Sequence, residues 1–176
     1  ECIEKSPGGA MTTLIKSSLT MLLCALAYSG FADSLDDLQQ ALSNESRSEA
    51  DRNRDGGRRP AQVLSFLGVS KGMAVMDVMA AGGYYTEVLS LAVGEKGTVY
   101  AQNPEAMLKY RGGANDKALA ARLADDRLAN VVRVDKGLED LGLAPASIDA
   151  AVTALNLHDV YNGAGRAAAI EMCRAV

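Results

Sequence analysis

The sequence has 176 residues, of which 48% are hydrophobic and 23% are charged, and these proportions predict one soluble globular domain with an apolar core. Aspartate and glutamate number 22 against 18 lysines and arginines, so the formal net charge is -4. This acidic balance argues against nucleic acid as a partner, because a surface that neutralises phosphates requires an excess of positive charge.

The first 32 residues predict an export signal rather than part of the folded domain. Residues 1–10 precede the first methionine, Met11, and we interpret them as upstream translated sequence or a cloning remnant. Residues 11–32 combine the charge of Lys16, an apolar run over residues 19–27 and small residues up to a cleavage point after Ala32. The run is shorter than the ~20 apolar residues that span a bilayer. We therefore predict a periplasmic protein with no membrane span after signal removal; an uncleaved anchor is the alternative.

Residues 33–57 predict a short amphipathic helix followed by a polar linker. Leu35, Leu38 and Leu42 recur at helical spacing behind acidic residues. The basic stretch over residues 52–60, RNRDGGRRP, is diluted by glycines and an acid, and we interpret it as a solvated loop, with a phosphate site as the alternative. Pro60 suits the first turn of the helix that follows.

Beyond residue 72 short apolar runs alternate with helical segments. The predicted strands are MAVMDVM, GTVYAQN, NVVRVDKG and SIDAAVTALNL, which occupy residues 73–79, 97–103, 130–137 and 147–157. The predicted helices cover residues 84–94, 104–110, 116–126 and 163–176. This rhythm predicts an α/β fold with a Rossmann-like open, mainly parallel sheet and flanking helices. A sheet of four strands would leave an edge bare, so we expect further C-terminal strands to be missing from this chain.

The turn DVMAAGG, residues 77–83, joins the first of these strands to a helix. Ligands of open parallel sheets bind beyond the carboxyl ends of the strands, and small residues let a ligand approach the backbone. Two adjacent glycines do not make the G-x-G-x-x-G dinucleotide fingerprint, and no phosphate-loop lysine follows. Residues 75–86, VMDVMAAGGYYT, resemble the first motif of the class I S-adenosylmethionine-dependent methyltransferases, with Met79 and Ala81 in place of two of its three glycines.

The stretch is most similar to a poorly characterised group of predicted methyltransferases with AGGGYYTE-like turns. The resemblance covers residues 58–176 and implies that they are the N-terminal part of a methyltransferase domain. It also implies that Asp77 orients the turn near the methionyl part of the cofactor, with Ala81 and Gly83 against it. The implied S-adenosylmethionine site in this turn comprises Asp77, Met79, Ala81, Gly82, Gly83 and Tyr84. The alternative is a packed turn with no ligand.

Two further segments match the family in position but not in residue type. Where the family commonly ends its second strand with an acid that binds the ribose hydroxyls, this chain has Gln102 and Asn103, whose amides make weaker contacts of the same kind. Near the family's adenine-binding segment Gly137 replaces an aspartate, and Glu139 is the acid that compensates. The alternatives are an ordinary turn at Asn103 and a solvated acid at Glu139.

The fourth strand ends in TALNLHDVYN, residues 153–162, which contains the only histidine of the chain. The resemblance places this segment near the transferred methyl group, and Asn156 joins the predicted cofactor site. His158 beside Asp159 predicts a general base, because histidine takes a proton near neutral pH. A structural role for the histidine is the alternative. One histidine and scattered acids do not make a metal-ligand set.

The sequence therefore predicts an S-adenosylmethionine-dependent methyltransferase that transfers a methyl group to an unknown small-molecule acceptor by direct displacement. An exported enzyme would have to find its cofactor outside the cytoplasm, which favours the alternative of a non-catalytic nucleotide-binding or interaction module. A nicotinamide-dependent oxidoreductase is a third hypothesis, and the glycine spacing argues against it.

Overall fold

The computed structural model describes residues 35–175. The predicted signal at residues 11–32 and the upstream segment at residues 1–10 lie outside these residues, so export stays a prediction. Within the described part of the chain, each helix is too short or too polar to traverse a bilayer.

Four parallel strands form the central sheet: β1 (Ala74–Val78), β2 (Thr98–Gln102), β3 (Val131–Val134) and β4 (Ala150–Val152). Their order is β3-β2-β1-β4, so the chain moves outward from β1 to β3 and then returns to the other side of β1. The register pairs Asp77 with Ala101 and Val152, which brings the carboxyl ends of β1, β2 and β4 to one edge. The fold is a Rossmann-like α/β sheet, as the alternation of apolar runs predicted.

Within residues 35–175, six helices flank the sheet: α1 (residues 35–42), α2 (Glu49–Arg58), α3 (Pro60–Phe66), α4 (Tyr84–Val93), α5 (Glu105–Leu123) and α6 (Leu157–Arg174). On one face α4 packs with α1 and α3 over Val75 and Val99, while Leu119 of α5 packs on Ala101. On the other face Met172 of α6 packs on Met76 and Val78. Both faces of β1 are thus covered, which is why its sequence is a nearly unbroken apolar run.

The prediction of a polar linker within residues 33–57 is wrong, because residues 49–57 belong to the helix α2. Its first amides are capped by Ser48, whose hydroxyl accepts a hydrogen bond from the Asp51 backbone N–H at 3.1 Å. Acidic residues occupy its first turn and Arg58 its last, as the helix dipole favours. Arg47 pairs with Asp55 at 2.5 Å and holds the helix against the preceding turn. Polar contacts therefore stabilise a helix that has no apolar periodicity.

Several predicted boundaries differ from the observed ones. The strand expected over residues 147–157 is confined to Ala150–Val152, and α6 begins at Leu157, although we expected it at residue 163. The helix α5 is interrupted between Tyr110 and Gly113, which agrees with the two separate segments predicted there. The described residues contain no strand beyond β4.

Candidate functional site

A cavity of about 540 Å³ opens at the carboxyl edge of the sheet. Its walls are the turn after β1, the end of β4, the first turn of α4, and parts of α2 and α5. Because β2 and β4 lie on opposite sides of β1, this is the point where the strand order reverses. Open α/β sheets bind their ligands at such a point.

The turn after β1 has an unusual backbone conformation. Met79, Ala81 and Gly83 have φ angles of 58°, 51° and 84°, all in the left-handed region. Glycine adopts this region freely, whereas for other L-residues it costs roughly 1–2 kcal/mol each. The positions at which the family motif carries glycine thus keep the glycine conformation in this chain, although two of them hold methionine and alanine.

Two buried amide side chains hold the strained turn in place. Gln102 and Asn103 are fully buried at the end of β2. Gln102 Oε1 accepts from the Met79 N–H at 3.0 Å, and Gln102 Nε2 donates to the Lys136 carbonyl at 2.6 Å. Asn103 Oδ1 accepts from the Ala81 N–H at 2.8 Å, and Asn103 Nδ2 donates to the Ala81 carbonyl at 3.2 Å. Both amides are therefore engaged with protein backbone on their donor and acceptor sides.

Asn156 supports the same turn from the end of β4. Its Nδ2 donates to the carbonyl oxygens of Val78 at 3.3 Å and Met79 at 3.1 Å. Asn156 lines the cavity as well. The turn after β1 is thus hydrogen-bonded by Gln102 and Asn103 from the end of β2 and by Asn156 from the segment after β4.

The two glycines of the turn serve its packing on α5. A Cβ on Gly82 would lie 3.0 Å from Cβ of Ala118, and one on Gly83 would lie 2.8 Å from Cδ1 of Leu119. Gly83 is buried and does not line the cavity. In this structure the absent side chain of Gly83 makes room for a helix, rather than for a ligand.

Asp77 contributes a buried carboxyl group to the cavity wall. Its exposed fraction is 2%, and burial raises its pKa from 3.8 to about 7. The Thr86 hydroxyl donates to Asp77 Oδ2 at 2.6 Å, which opposes the rise. Asp77 is therefore anchored to α4 and changes charge near neutral pH.

The helix α2 supplies the outer wall, including the side chains of Asp51, Arg54 and Arg58. The guanidinium carbon of Arg58 lies 4.4 Å from the centroid of the Tyr84 ring. The Tyr84 hydroxyl donates to Asp55 Oδ1 at 2.6 Å. These contacts tie α2 to the start of α4 across the mouth of the cavity.

An ion-pair network joins this wall to α4 and α5, and two of its members, Asp51 and Arg122, line the cavity. Glu87 of α4, whose side chain is 1% exposed, pairs with Arg122 and, at 2.5 Å, with Arg127. Arg122 also pairs with Asp51 at 2.7 Å and donates from Nε to the Gly82 carbonyl at 3.1 Å. One arginine of α5 thus connects α2, α4 and the turn after β1.

The structure brings together six of the residues predicted for the cofactor: Asp77, Met79, Ala81, Gly82, Tyr84 and Asn156 line the cavity. The other three lie outside the cavity lining. Gly83 packs against α5, Asn103 is hydrogen-bonded to the backbone of Ala81, and Glu139 is exposed in a one-turn 3-10 helix. The ribose contact expected of Asn103 and the adenine contact expected of Glu139 therefore have no support in this geometry.

The predicted catalytic pair lies outside the cavity. His158 and Asp159 are in the first turn of α6, with 61% and 72% of their side chains exposed and 3.2 Å between Nε2 and Oδ1. His158 lines a shallower depression of about 480 Å³ together with Leu155 and Tyr161. Leu155 borders both spaces and has a left-handed backbone, with φ of 63°. The role of the pair as a base stays a prediction.

Sequence reasoning missed the contributions of α2 and α5. Ser48, Asp51, Arg54, Arg58, Asn115 and Arg122 all line the cavity. A signal for α2 was present, because Ser48 and Asp51 have the spacing of a capping box, with an acid three residues after the cap. For Arg122 no local pattern indicated a role, since its partners lie 35, 40 and 71 residues away.

No protein-family model and no curated protein matches the chain. Among solved structures, the chain is similar to an S-adenosylmethionine-dependent methyltransferase from Aquifex aeolicus, with 28% identity and a TM-score of 0.48 over 57% of this chain and 50% of that one. It is also similar to a protein-L-isoaspartate O-methyltransferase, with 24% identity and a TM-score of 0.38 over 54% of this chain and 28% of that one. The chain thus spans half of the first structure and less of the second.

Proposed function

We propose that this chain is an S-adenosylmethionine-dependent methyltransferase domain that binds its cofactor in the cavity after β1. The observation that carries the proposal is the turn from Met79 to Gly83, which holds the left-handed conformations of a glycine motif at the point where the strand order reverses. The resemblance of residues 75–86 to the first motif of that family supports it.

The residues around the cavity fit this cofactor in charge and size. A volume of about 540 Å³ is in the range of sites for small ligands. S-adenosylmethionine carries a sulfonium, an ammonium and a carboxylate. The cavity offers carboxyl groups from Asp51 and Asp77 and guanidinium groups from Arg54 and Arg58. The ribose hydroxyls must bind to groups other than Gln102 and Asn103, because neither residue lines the cavity.

When bound, the cofactor supplies an electrophilic methyl group on sulfur, and the chain contributes orientation and exclusion of water. Tyr84, Tyr85, Met79 and Leu155 contribute large apolar surfaces to the wall. His158 lies outside this cavity, in the adjoining depression that Leu155 also borders, and in this proposal it accepts the proton of a methyl acceptor bound in that depression. Its Nε2 faces Asp159 Oδ1 at 3.2 Å, which orients the ring and leaves Nδ1 to take the proton.

Calorimetric titration with S-adenosylhomocysteine and with NAD tests the proposal. We expect heat of binding with the first and none with the second. Ala50 lines the cavity from α2, whereas Asn53 is exposed on the same helix and lies outside the cavity. The Ala50→Trp variant should therefore lose binding, and Asn53→Trp should keep it. Heat with NAD alone would indicate an oxidoreductase, and heat with neither ligand would refute nucleotide binding.

A non-catalytic nucleotide-binding module is the second candidate. It is favoured by the position of His158, which is exposed and outside the cavity. The two candidates differ in turnover. Binding of S-adenosylhomocysteine without transfer of a labelled methyl group to a panel of oxygen, nitrogen and sulfur acceptors would favour the module; transfer that is lost in His158→Gln would favour the enzyme.

A further inference from the structure

Two arginines of α2 face the cavity one helical turn apart. Arg54 and Arg58 both line it, and residues four apart lie on the same side of a helix. Neither belongs to the turn after β1 or to the segment around His158. They form a basic side of the cavity that the methyl-transfer chemistry itself does not require.

The guanidinium group of Arg58 has unused hydrogen-bond donors within the described residues. Within residues 35–175 its guanidinium group makes no ion pair and no hydrogen bond. Its guanidinium carbon instead lies 4.4 Å from the ring centroid of Tyr84 and 6.0 Å from that of Tyr85. Stacking on an aromatic ring fixes the position of a guanidinium group without occupying its N–H donors.

Arg54 is only weakly paired. Its Nη1 lies 3.5 Å from Asp51 Oδ1, and its side chain is 55% exposed. Asp51 is bound more closely by Arg122, at 2.7 Å. Burial acts to raise the pKa of Asp51, but the hydrogen bonds from Arg122 and Ser48 and the charges of Arg122 and Arg54 hold it below its ordinary value. The charge of Asp51 is thus satisfied largely by Arg122, and Arg54 retains positive charge toward the cavity.

We propose that Arg54 and Arg58 bind an anionic group of the ligand in this cavity, and that this group is the carboxylate when the ligand is S-adenosylmethionine. The planar fork of a guanidinium group matches a carboxylate or a phosphate with two parallel hydrogen bonds. The assignment of the carboxylate rests on the proposed function. The anion site itself rests only on the positions of the two arginines.

Two ligands that differ at the anion test the assignment. S-adenosylhomocysteine carries the amino-acid carboxylate, whereas 5′-methylthioadenosine keeps the adenosine and the thioether without it. In Arg58→Gln the affinity for S-adenosylhomocysteine should fall at least tenfold, because a charged hydrogen bond is lost, while the affinity for 5′-methylthioadenosine should change less than twofold. The affinity of Arg58→Lys for S-adenosylhomocysteine should lie between those of wild type and Arg58→Gln, since lysine keeps the charge without the planar fork. Arg166→Gln removes an exposed charge from α6 and is the matched control.

The outcomes separate this inference from the proposed function. Equal affinity of wild type and Arg58→Gln for S-adenosylhomocysteine would overturn the inference and leave the function standing. If neither adenosyl ligand binds, pyrophosphate is titrated at constant ionic strength. Heat that disappears in the Arg54→Gln, Arg58→Gln double variant would support the anion site while the function fails. Absence of that heat, or heat that persists in the double variant, would overturn the anion site too. Melting temperatures close to wild type show that each variant is folded.

Discussion

Asn103 makes two hydrogen bonds to the backbone of Ala81: its Oδ1 accepts from the Ala81 nitrogen at 2.8 Å, and its Nδ2 donates to the Ala81 oxygen at 3.2 Å. Asn103 directly follows β2, and Ala81 is a left-handed residue in the turn after β1. The contact explains how a non-glycine residue stays in that conformation. A fully buried amide provides a donor and an acceptor that water could not supply there.

Replacement of Asn103 with aspartate should therefore destabilise the protein in a pH-dependent way. At pH 8 the buried carboxylate has no proton for the Ala81 carbonyl, and we expect the free energy of unfolding to fall by about 2–5 kcal/mol. At low pH the protonated acid donates as the amide does, so the difference from wild type should shrink. Urea unfolding at pH 5 and pH 8 measures this, with the exposed Asn53→Asp as control. A deficit that does not depend on pH would contradict this role of Asn103.

Ala81→Gly should not destabilise the turn. Glycine removes a left-handed cost of roughly 1–2 kcal/mol and adds an entropy cost of roughly 0.5–1 kcal/mol, so we expect the free energy of unfolding to rise by about 0–1.5 kcal/mol. Ala80 is buried and has no positive φ, which makes Ala80→Gly the matched control. Ala80→Gly should lower the free energy of unfolding by about 1 kcal/mol or more. Chemical denaturation compares the two, and a larger loss in Ala81→Gly than in Ala80→Gly would show that φ does not govern this turn.

Asp77 should make stability fall as pH rises from about 4 to about 7. The folded state keeps this carboxyl protonated up to about pH 7, whereas the unfolded chain releases the proton near 3.8, so folded chains bind more protons between these values. The free energy of unfolding therefore decreases with pH in this window, by at most about 1.4 kcal/mol per pH unit.

The difference between wild type and Asp77→Asn in unfolding experiments from pH 4 to pH 8 isolates this contribution. The free energy of unfolding of Asp77→Asn should rise relative to that of wild type as pH rises. In Thr86→Val the hydrogen bond that lowers the pKa of Asp77 is absent, so the decrease should extend to higher pH. A constant difference across the window would mean that Asp77 titrates at an ordinary pH.

Glu87→Gln should lower the free energy of unfolding by about 3–5 kcal/mol, because Arg122 and Arg127 both lose a buried counter-charge and, among the described residues, only Arg122 keeps another, Asp51. Glu87 pairs with both Arg122 and Arg127, and its side chain is 1% exposed. The exposed pair of Lys71 with Asp37 is the control, and Lys71→Gln should cost about 0–1 kcal/mol. Comparable losses in both variants would show that burial does not strengthen the network.

Glycine substitutions distinguish the helix α2 from the turn after β1. Gly56 lies inside α2, and a Cβ added there would have no other atom within 4 Å, so Gly56→Ala should raise the free energy of unfolding by roughly 0.5–1 kcal/mol. Gly83→Ala should lower it by about 2 kcal/mol, because φ is 84° and the new Cβ would lie 2.8 Å from Cδ1 of Leu119. Thermal unfolding measures both. Destabilisation by Gly56→Ala would argue that residues 49–58 are not helical in solution.

Sequence reasoning located the cavity but not its full wall. The apolar runs around β1, β2 and β4 predicted parallel strands, and the carboxyl ends of parallel strands meet at one edge. That rule alone brought Asp77, Ala81 and Asn156 together. It could not show that Asn103 turns toward Ala81, since a polar residue at a strand end can face either a ligand or the protein.

The periodicity of apolar residues determined the α/β sheet by itself, because burial of both faces of a strand and the right-handed crossover leave few alternatives. Only the tertiary structure decided the role of residues 49–58. Their sequence has no apolar face, and the contacts that order them come from Arg122 and Tyr84, 71 and 29 residues away from their partners in α2. Contacts between distant residues leave no local pattern. The spacing of Ser48 and Asp51 marks the start of the helix, but only the fold shows that this helix completes the cavity.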